Sequence, residues 1–402
     1  MADPESDRDN PRSLPVPDGG WSERLETLAD PIVVPPEESD FVQPAGILAS
    51  DGSYCAHGAL WRRHRPITVA PPRPETVTET LAGRWLWGGV LWQHFGHFLV
   101  ESTSRLWALN ALDRPVDGVL FIPKRPRVGD AVREFQRDFV SLLAPDLPIR
   151  VITAPTCVQE LVVPGQGFGI GALIGGTRSF RDAMHARFAR EIAADGPERL
   201  YISRSALGLG KGGLLGEERL EEQLVQQGYE IFHPEKHDLA TQMARYKAAT
   251  HVIAVDGSAL HLFAMVGRPD QNVAMILRRK SGAAAQLATN VEKFCGRTPL
   301  VIEALHTEWV KQGKGRADRL SFGELDLVRA GKALAEGGFV APNVDWPELT
   351  EENRAALFRD KGLGERGDYV ESPEYERARI RRMRQDRRAR RAARRAASDT
   401  PT

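Results

Sequence analysis

Cysteine is scarce in this chain. Cys55, Cys157 and Cys295 are the only three in 402 residues, an odd number with no C-x-x-C spacing. Neither a disulfide framework nor a cysteine zinc site is expected, and a reducing compartment fits. Long hydrophobic runs are also missing. The most apolar stretch, 161–174, is broken by Pro164 and four glycines, so it reads as strand and loop rather than a membrane span. The start, MADPESDRDNPRSLPVPDGG, has neither the basic nor the apolar region of a secretory signal. Neither sign of charge is in excess: 54 basic and 54 acidic residues leave the whole molecule no pull toward nucleic acid or membrane. The expected setting is the cytoplasm. The length suits two domains, each able to bury its own core.

Residues 1–45 show no hydrophobic periodicity and read as a disordered leader. Strand-like and helix-like segments then alternate. Val119–Ile122 and Arg150–Thr153 read as strands around a helix over 130–143. Leu200–Ser203, Tyr229–Phe232, His251–Val255 and Val273–Leu277 read as strands, with helices over 217–227, 239–249 and 258–266 between them. Short β-branched runs alternating with helices predict an α/β fold of parallel sheets covered on both faces. Two such halves imply two Rossmann-like lobes, at 46–185 and 186–310, with a cleft between them. A mostly helical extension follows over 311–375. From Glu376 to Ala397 there are eleven arginines against two acidic residues. Arg377, Arg381, Arg384, Arg388, Arg391 and Arg395 recur at steps of four and three, along one helical face. This tail, 376–402, reads as a solvated helix. A tether to anionic membrane or polymer is the sharper reading, and stacking on nucleic acid lacks interleaved aromatics.

Three stretches carry chemistry. The first, Tyr201-Ile-Ser-Arg-Ser-Ala-Leu-Gly-Leu-Gly-Lys-Gly-Gly213, contains Gly208-x-Gly210-x-x-Gly213, the spacing of the dinucleotide fingerprint. That turn needs its first glycine directly after the strand and a helix opening within the motif. Here four residues intervene, and no helix can begin before Glu217. The glycines read instead as a mobile flap, with Arg204 and Lys211 supplying positive charge for a phosphate. The second is Asp256-Gly257-Ser258, between strand and helix, where backbone N–H groups and the helix dipole suit an anion. Asp256 would suit a sugar or ribose hydroxyl better, and an ordinary capped turn stays open. The third is the stripe His94, His97, Glu101 and Arg105, at steps of three, four and four on an otherwise apolar helix. Four ionisable groups there must pair or work. Metal ligation, a structural His–Glu–Arg network, and a catalytic carboxylate beside a histidine are the three readings. In the last, Glu101 is a general base oriented by His97 or Arg105.

Four segments in this order, Gly96-His-Phe-Leu-Val-Glu-Ser-x-x-Arg-Leu-Trp107, Arg199-Leu-Tyr-Ile-Ser-Arg204, Gly228-Tyr-Glu-Ile-Phe-His-Pro-Glu235 and Asp256-Gly-Ser-Ala-Leu-His261, resemble glycosyltransferase family 61. The resemblance spans residues 85–310. It implies a GT-B fold and an inverting transfer from a nucleotide sugar, UDP-linked, to a glycan hydroxyl, with no metal and no other cofactor. It further implies a role in bacterial capsular or surface polysaccharide synthesis, and the arginine tail suggests peripheral attachment to the inner face of a membrane. By the same resemblance, His97, Glu101 and Arg105 are the acceptor-side catalytic residues. Ser203, Arg204, Lys211, His233, Glu235, Asp256, Gly257, Ser258, Ala259 and His261 then hold the donor. Val255-Asp256-Gly257 stands where many members carry a histidine turn, which bears on donor choice and on activity. The competing readings are an inactive family member acting as a scaffold and an NAD-dependent oxidoreductase.

Overall fold

The computed structural model describes residues 7–77, 79–363 and 368–398. Its first sheet contains β1 (Leu25–Ala29), β2 (Ile32–Val34), β3 (Gly46–Leu48), β4 (Glu79–Leu91), β5 (Gly118–Pro123), β6 (Ile149–Val151) and β7 (Thr156–Pro164). The spatial order is β6-β5-β4-β7-β2-β3, with β1 also on β7. The four strands β6, β5, β4 and β7 are parallel neighbours, while β1 and β2 run antiparallel to β7. The second sheet is parallel throughout: β8 (Arg199–Ile202), β9 (Glu230–Phe232), β10 (His251–Val255), β11 (Asn272–Ile276) and β12 (Leu300–Ile302), in the order β9-β8-β10-β11-β12.

Each sheet has one point where the chain reverses its direction of travel across the strands, between β4 and β7 in the first and between β8 and β10 in the second. Ligands of open parallel sheets sit outside the carboxyl ends of the strands at such points. The fold therefore offers two crevices, and sequence places the singled-out motifs at both.

The strands and helices expected between residues 119 and 277 form. Strand β5 is buried at every position, which is why it reads as an unbroken apolar run rather than an alternation. The helices include α1 (Glu134–Leu143), α2 (Arg178–Arg187), α3 (Glu217–Gln226), α4 (Leu239–Ala248), α5 (Ala259–Ala264) and α6 (Gly282–Cys295). Thr177 caps α2 and Asp238 caps α4, each accepting a bond from a first-turn N–H. One apolar cluster joins the two sheets: Val119 and Phe121 of the first, Leu200 and Val252 of the second, and Phe98, Phe139, Met243 and Phe263 between them.

Two expectations need correcting. Residues 20–45 are not a leader. Trp21 is fully buried against Ala59 and Trp61, and β1 and β2 complete the first sheet along β7. β1 is mostly exposed on both faces and is held by backbone pairing, which leaves no hydrophobic period to read. Residues 1–6 lie outside the described residues. Likewise, 311–375 is not a helical appendage. Phe322–Leu325 pairs in parallel with Gly213–Leu215 and antiparallel with Leu305–Lys311, and Tyr369–Glu371 adds the fourth strand of a third sheet. Helices at Leu327–Glu336 (α7) and Glu351–Asp360 (α8) belong to the same region. The arginine-rich tail forms helix α9, Pro373–Ser398; residues 399–402 of the expected tail lie outside the described residues. Among the described residues no helix is long and apolar enough to cross a membrane.

Candidate functional site

The first crevice is built by the chain leaving β4. The expected single helix over His94–Arg105 is instead one helical turn (Phe95–His97), a π-turn (Phe98–Ser102) and a 3-10 turn (Leu106–Asn110). Ser102 closes the segment, accepting from the Trp92 N–H and donating to the Val90 carbonyl. The wider π-turn keeps His97 and Glu101 together and rotates Arg105 away. Single π-turns of this kind recur at functional sites.

Glu101 is fully buried, and both of its oxygens are in use. Arg62 donates from Nε to Oε1 at 2.7 Å and from Nη2 to Oε2 at 2.5 Å. His97 Nδ1 lies 2.8 Å from Oε2. A carboxylate only accepts, so the contact places a proton on His97 Nδ1; in the neutral imidazole Nε2 is then the acceptor. The imidazole stacks on Trp92 at 4.6 Å, with a third of its side chain open to solvent. Glu101, expected as the general base, is thus enclosed by Arg62 and His97, and of the pair His97–Glu101 only the imidazole is open to solvent. His94 packs edge-on at 5.3 Å. Burial, then His97, and then the nearby Lys211 and Arg319 hold His94 down at about 4, so it is neutral at ordinary pH.

Arg105 does not reach this crevice. It is buried, and its guanidinium donates to the carbonyls of His57 and Ala59, at 3.0 and 2.6 Å, and of Pro164. Those contacts tie β7 to the segment before the Trp61 hairpin, so the guanidinium expected in the catalytic set is bonded to backbone carbonyls instead. The residue that sequence reasoning missed is Arg62, 39 positions away from Glu101 in the chain. Its signal was the cationic run Trp61-Arg-Arg-His-Arg-Pro66.

The second crevice lies where β8, β10 and β11 end. Arg204 follows β8, and its side chain lies across the backbone of Gly257, where an added Cβ would sit 2.8 Å from Nη1. A side chain at 257 would make the Arg204 guanidinium shift. Arg278 and Arg279 follow β11. Asp256 interacts with all three arginines. Three of their N–H groups are buried without a partner among the described residues: Arg204 Nε, Arg278 Nη1 and Arg279 Nε. Burial and the Arg278 charge lower both Arg204 and Arg279 below the ordinary arginine range. Buried, unpaired guanidinium donors are costly unless an anion completes them. Arg278 and Arg279 were also missed, although the rule that picked out Arg204 at the end of its strand applies equally to them.

Two expected donor contacts are turned into the fold instead. The Ser203 hydroxyl donates toward Glu221 at 2.5 Å and Glu217 at 3.2 Å, so it is not free for a phosphate. Asp256 is buried and accepts from the Arg278 N–H at 2.8 Å, so it orients an arginine rather than a sugar hydroxyl. Burial raises Asp256 against the pull of Arg278. Helix α5, at six residues, is too short to act as a dipole site, and Ser258 makes no cap. His233 and Glu235 follow β9 on the far side of Arg204. His233 Nδ1 is buried without a hydrogen bond, and Glu235 acts on Arg204. His261 lies half-buried on α5 with Nδ1 2.8 Å from Asn290 Oδ1; burial holds it at about 4. Ala259 is half-buried beside it.

The fingerprint glycines part company. Gly208 and Gly210 face open space, whereas Gly212, at φ 62°, has the carbonyls of Arg319 and Ser321 2.6 Å from where a Cβ would stand. A strand follows the motif, not a helix. The dinucleotide geometry is absent, and the loop is pinned to the third sheet at its end. Lys211 is exposed at its tip.

The two crevices face each other. A Cβ on Gly96 would lie 2.4 Å from Ser258 Oγ, His97 acts on His261, and Lys211 and Arg319 act on His94. The His97 turn and the Gly257 turn are thus in direct contact.

No curated protein matches the chain. The family model described as Glycosyltransferase 61 matches residues 95–273, which run from the His97 turn through the end of β8, the Gly257 turn and the start of β11. The chain therefore carries a glycosyltransferase family 61 domain over residues 95–273.

Proposed function

We propose that this protein is an inverting glycosyltransferase of GT-B arrangement that uses a nucleotide-sugar donor and a glycan acceptor. The observation that carries this reading is the set of three arginines, Arg204, Arg278 and Arg279, with buried unpaired N–H groups at the reversal point of the second sheet. A diphosphate offers acceptor oxygens on two adjacent groups and matches several guanidinium donors at once.

In this reading the acceptor hydroxyl attacks the anomeric carbon as the bond from that carbon to the diphosphate oxygen breaks. The proton passes to His97 Nε2, and the leaving electron pair stays on the nucleoside diphosphate. Glu101 holds the imidazole in the tautomer that can accept, and stabilises the imidazolium that forms. The arginines neutralise charge that grows on the leaving group. Lys211, His233, Gly257, Ser258, Ala259 and His261 line the donor side. Buried Asp256, where many family members carry histidine, supports Arg278 and leaves the cleft clear, which favours an active enzyme over a scaffold.

The uridine base and the role in capsular or surface polysaccharide synthesis rest on the family resemblance. Peripheral membrane attachment rests on helix α9. A thermal-shift screen of UDP-, GDP- and CMP-sugars tests the reading, because a bound donor stabilises by mass action. A rise in Tm with one nucleotide class supports it; no rise with any class contradicts it.

A further inference from the structure

The hairpin Trp61–Pro66 stands at the mouth of the first crevice and shows more cation than the proposed chemistry uses. It is clamped onto the segment that follows β7. Gln166 accepts from the Trp61 N–H at 2.7 Å and donates back to the Trp61 carbonyl at 3.0 Å, and the Arg63 N–H donates to the Ile170 carbonyl at 2.7 Å. Gly171 lets the turn sit that close: its Cβ would lie 2.7 Å from Arg63 Cα. Arg63 itself is held at φ 58°. Of the cations on this turn, Arg62 is committed to Glu101. Arg63, His64 and Arg65 are exposed and make no ion pair among the described residues.

Beside them is Phe41, a large aromatic with 48% of its surface in solvent. The Arg65 guanidinium lies 4.8 Å and that of Arg62 5.5 Å from its ring centre. Its loop is fixed from below, where Lys124 Nζ donates to the carbonyls of Asp40 and Phe41 at 2.7 and 3.0 Å and to Gln43 Oε1 at 2.7 Å. The same Arg62 reaches Trp92 at 4.6 Å and His97 Nδ1 at 3.3 Å, so the platform adjoins the base. The loop's own acids, Glu37, Glu38 and Asp40, are exposed and form no ion pair with the turn.

The half of the Phe41 ring left in solvent offers apolar surface for the C–H side of a pyranose, and the guanidiniums over and near it that form no ion pair match carboxylates with two parallel bonds. We propose that Phe41, Arg63 and Arg65 form the acceptor subsite, and that the acceptor is an anionic glycan carrying carboxylate groups. The proposal rests on the glycosyltransferase reading for the word acceptor, but the subsite's binding is measurable without turnover.

The test is calorimetric titration of the full chain with a hexagalacturonate, with the same oligosaccharide after reduction of its carboxyls to hydroxymethyls, and with UDP. Variants are Arg63→Asn, which tolerates the left-handed backbone, combined with Arg65→Gln, and Phe41→Ala alone. The expected result is binding of the carboxylated oligosaccharide that weakens at least tenfold in the arginine variant, in Phe41→Ala and on carboxyl reduction, and that falls as salt rises. UDP affinity stays unchanged in both variants, which also reports that they fold. Equal binding of the two oligosaccharides, equal binding by wild type and the arginine variant, or no binding of either oligosaccharide overturns the proposal. Oligosaccharide binding without any UDP binding would leave the subsite standing and remove the transferase reading.

Discussion

Gly96 and Ser258, 162 positions apart in the chain, meet so closely that a Cβ on the first would stand 2.4 Å from the hydroxyl oxygen of the second. This is the contact that brings the crevice of one sheet against the crevice of the other. A side chain at 96 must push the two apart or rotate Ser258. Gly96→Val is expected to lower kcat by at least tenfold, and Gly96→Val with Ser258→Gly to recover part of that loss. A coupling of about 0.5–3 kcal/mol in the double-mutant cycle is the range for residues in contact; strict additivity would contradict the account.

The proposed role of His97 as base, with Glu101 behind it, separates two variants that otherwise look alike. His97→Gln removes the proton acceptor and should cost about 10²–10⁴-fold in kcat with little change in Tm. Glu101→Ala strips Arg62 of its buried partner and should also destabilise the fold, by about 3–5 kcal/mol. Activity retained in His97→Gln and lost only in Glu101→Ala would restore the carboxylate as the base.

Arg105 should behave as a fold residue. Arg105→Leu leaves three buried carbonyls without their donor, at about 1–3 kcal/mol for each unsatisfied group. The expected outcome is a lowered Tm with kcat per folded molecule near wild type. A silent Tm with lost turnover would return Arg105 to the chemistry.

Glu217 gives the molecule a pH signature. It is fully buried, and burial raises it from 4.5 to about 7 against the bond from the Arg204 N–H. The folded state therefore favours the protonated form. That contribution is fully present below about 4.5, declines as pH rises toward 7 and is gone above it. Relative to wild type, Glu217→Gln should gain stability across that window, on the order of 3 kcal/mol. Denaturant melts at pH 5 and pH 8 measure it; a difference that does not move with pH would remove Glu217 as the source.

The glycine loop can be dissected by two alanines. Gly208→Ala enters open space and should change stability by about 0.5 kcal/mol or less. Gly212→Ala meets two carbonyls at a positive φ and should cost about 1–3 kcal/mol. Equal effects would mean that the loop is not pinned at Gly212.

The second sheet was legible because its three central strands are almost wholly buried and stand out as short apolar runs between helices. β1 was not, since it is mostly exposed and backbone pairing leaves no trace in side-chain period, and β2 is only three residues long. His97 and Glu101 could be paired from their spacing of four. Arg62 could not, because its partnership with Glu101 exists only once the hairpin folds over the crevice. Arg278 and Arg279 look like surface cations until β11 is placed beside β10. The fingerprint glycines misled because they answer to two different needs: open space at Gly208 and Gly210, and contact with the third sheet at Gly212. The direction in which Asp256 and Ser203 point was likewise beyond the sequence, since either turn residue could face the cleft or the core.

The central claim is that a diphosphate completes the Arg204, Arg278 and Arg279 cluster. Calorimetric titration of UDP into wild type and Arg204→Gln tests it most directly. Saturable binding to wild type that weakens at least tenfold in the variant is expected, at unchanged Tm of the free proteins. Equal affinity for both, or no binding of any nucleoside diphosphate to wild type, would contradict it.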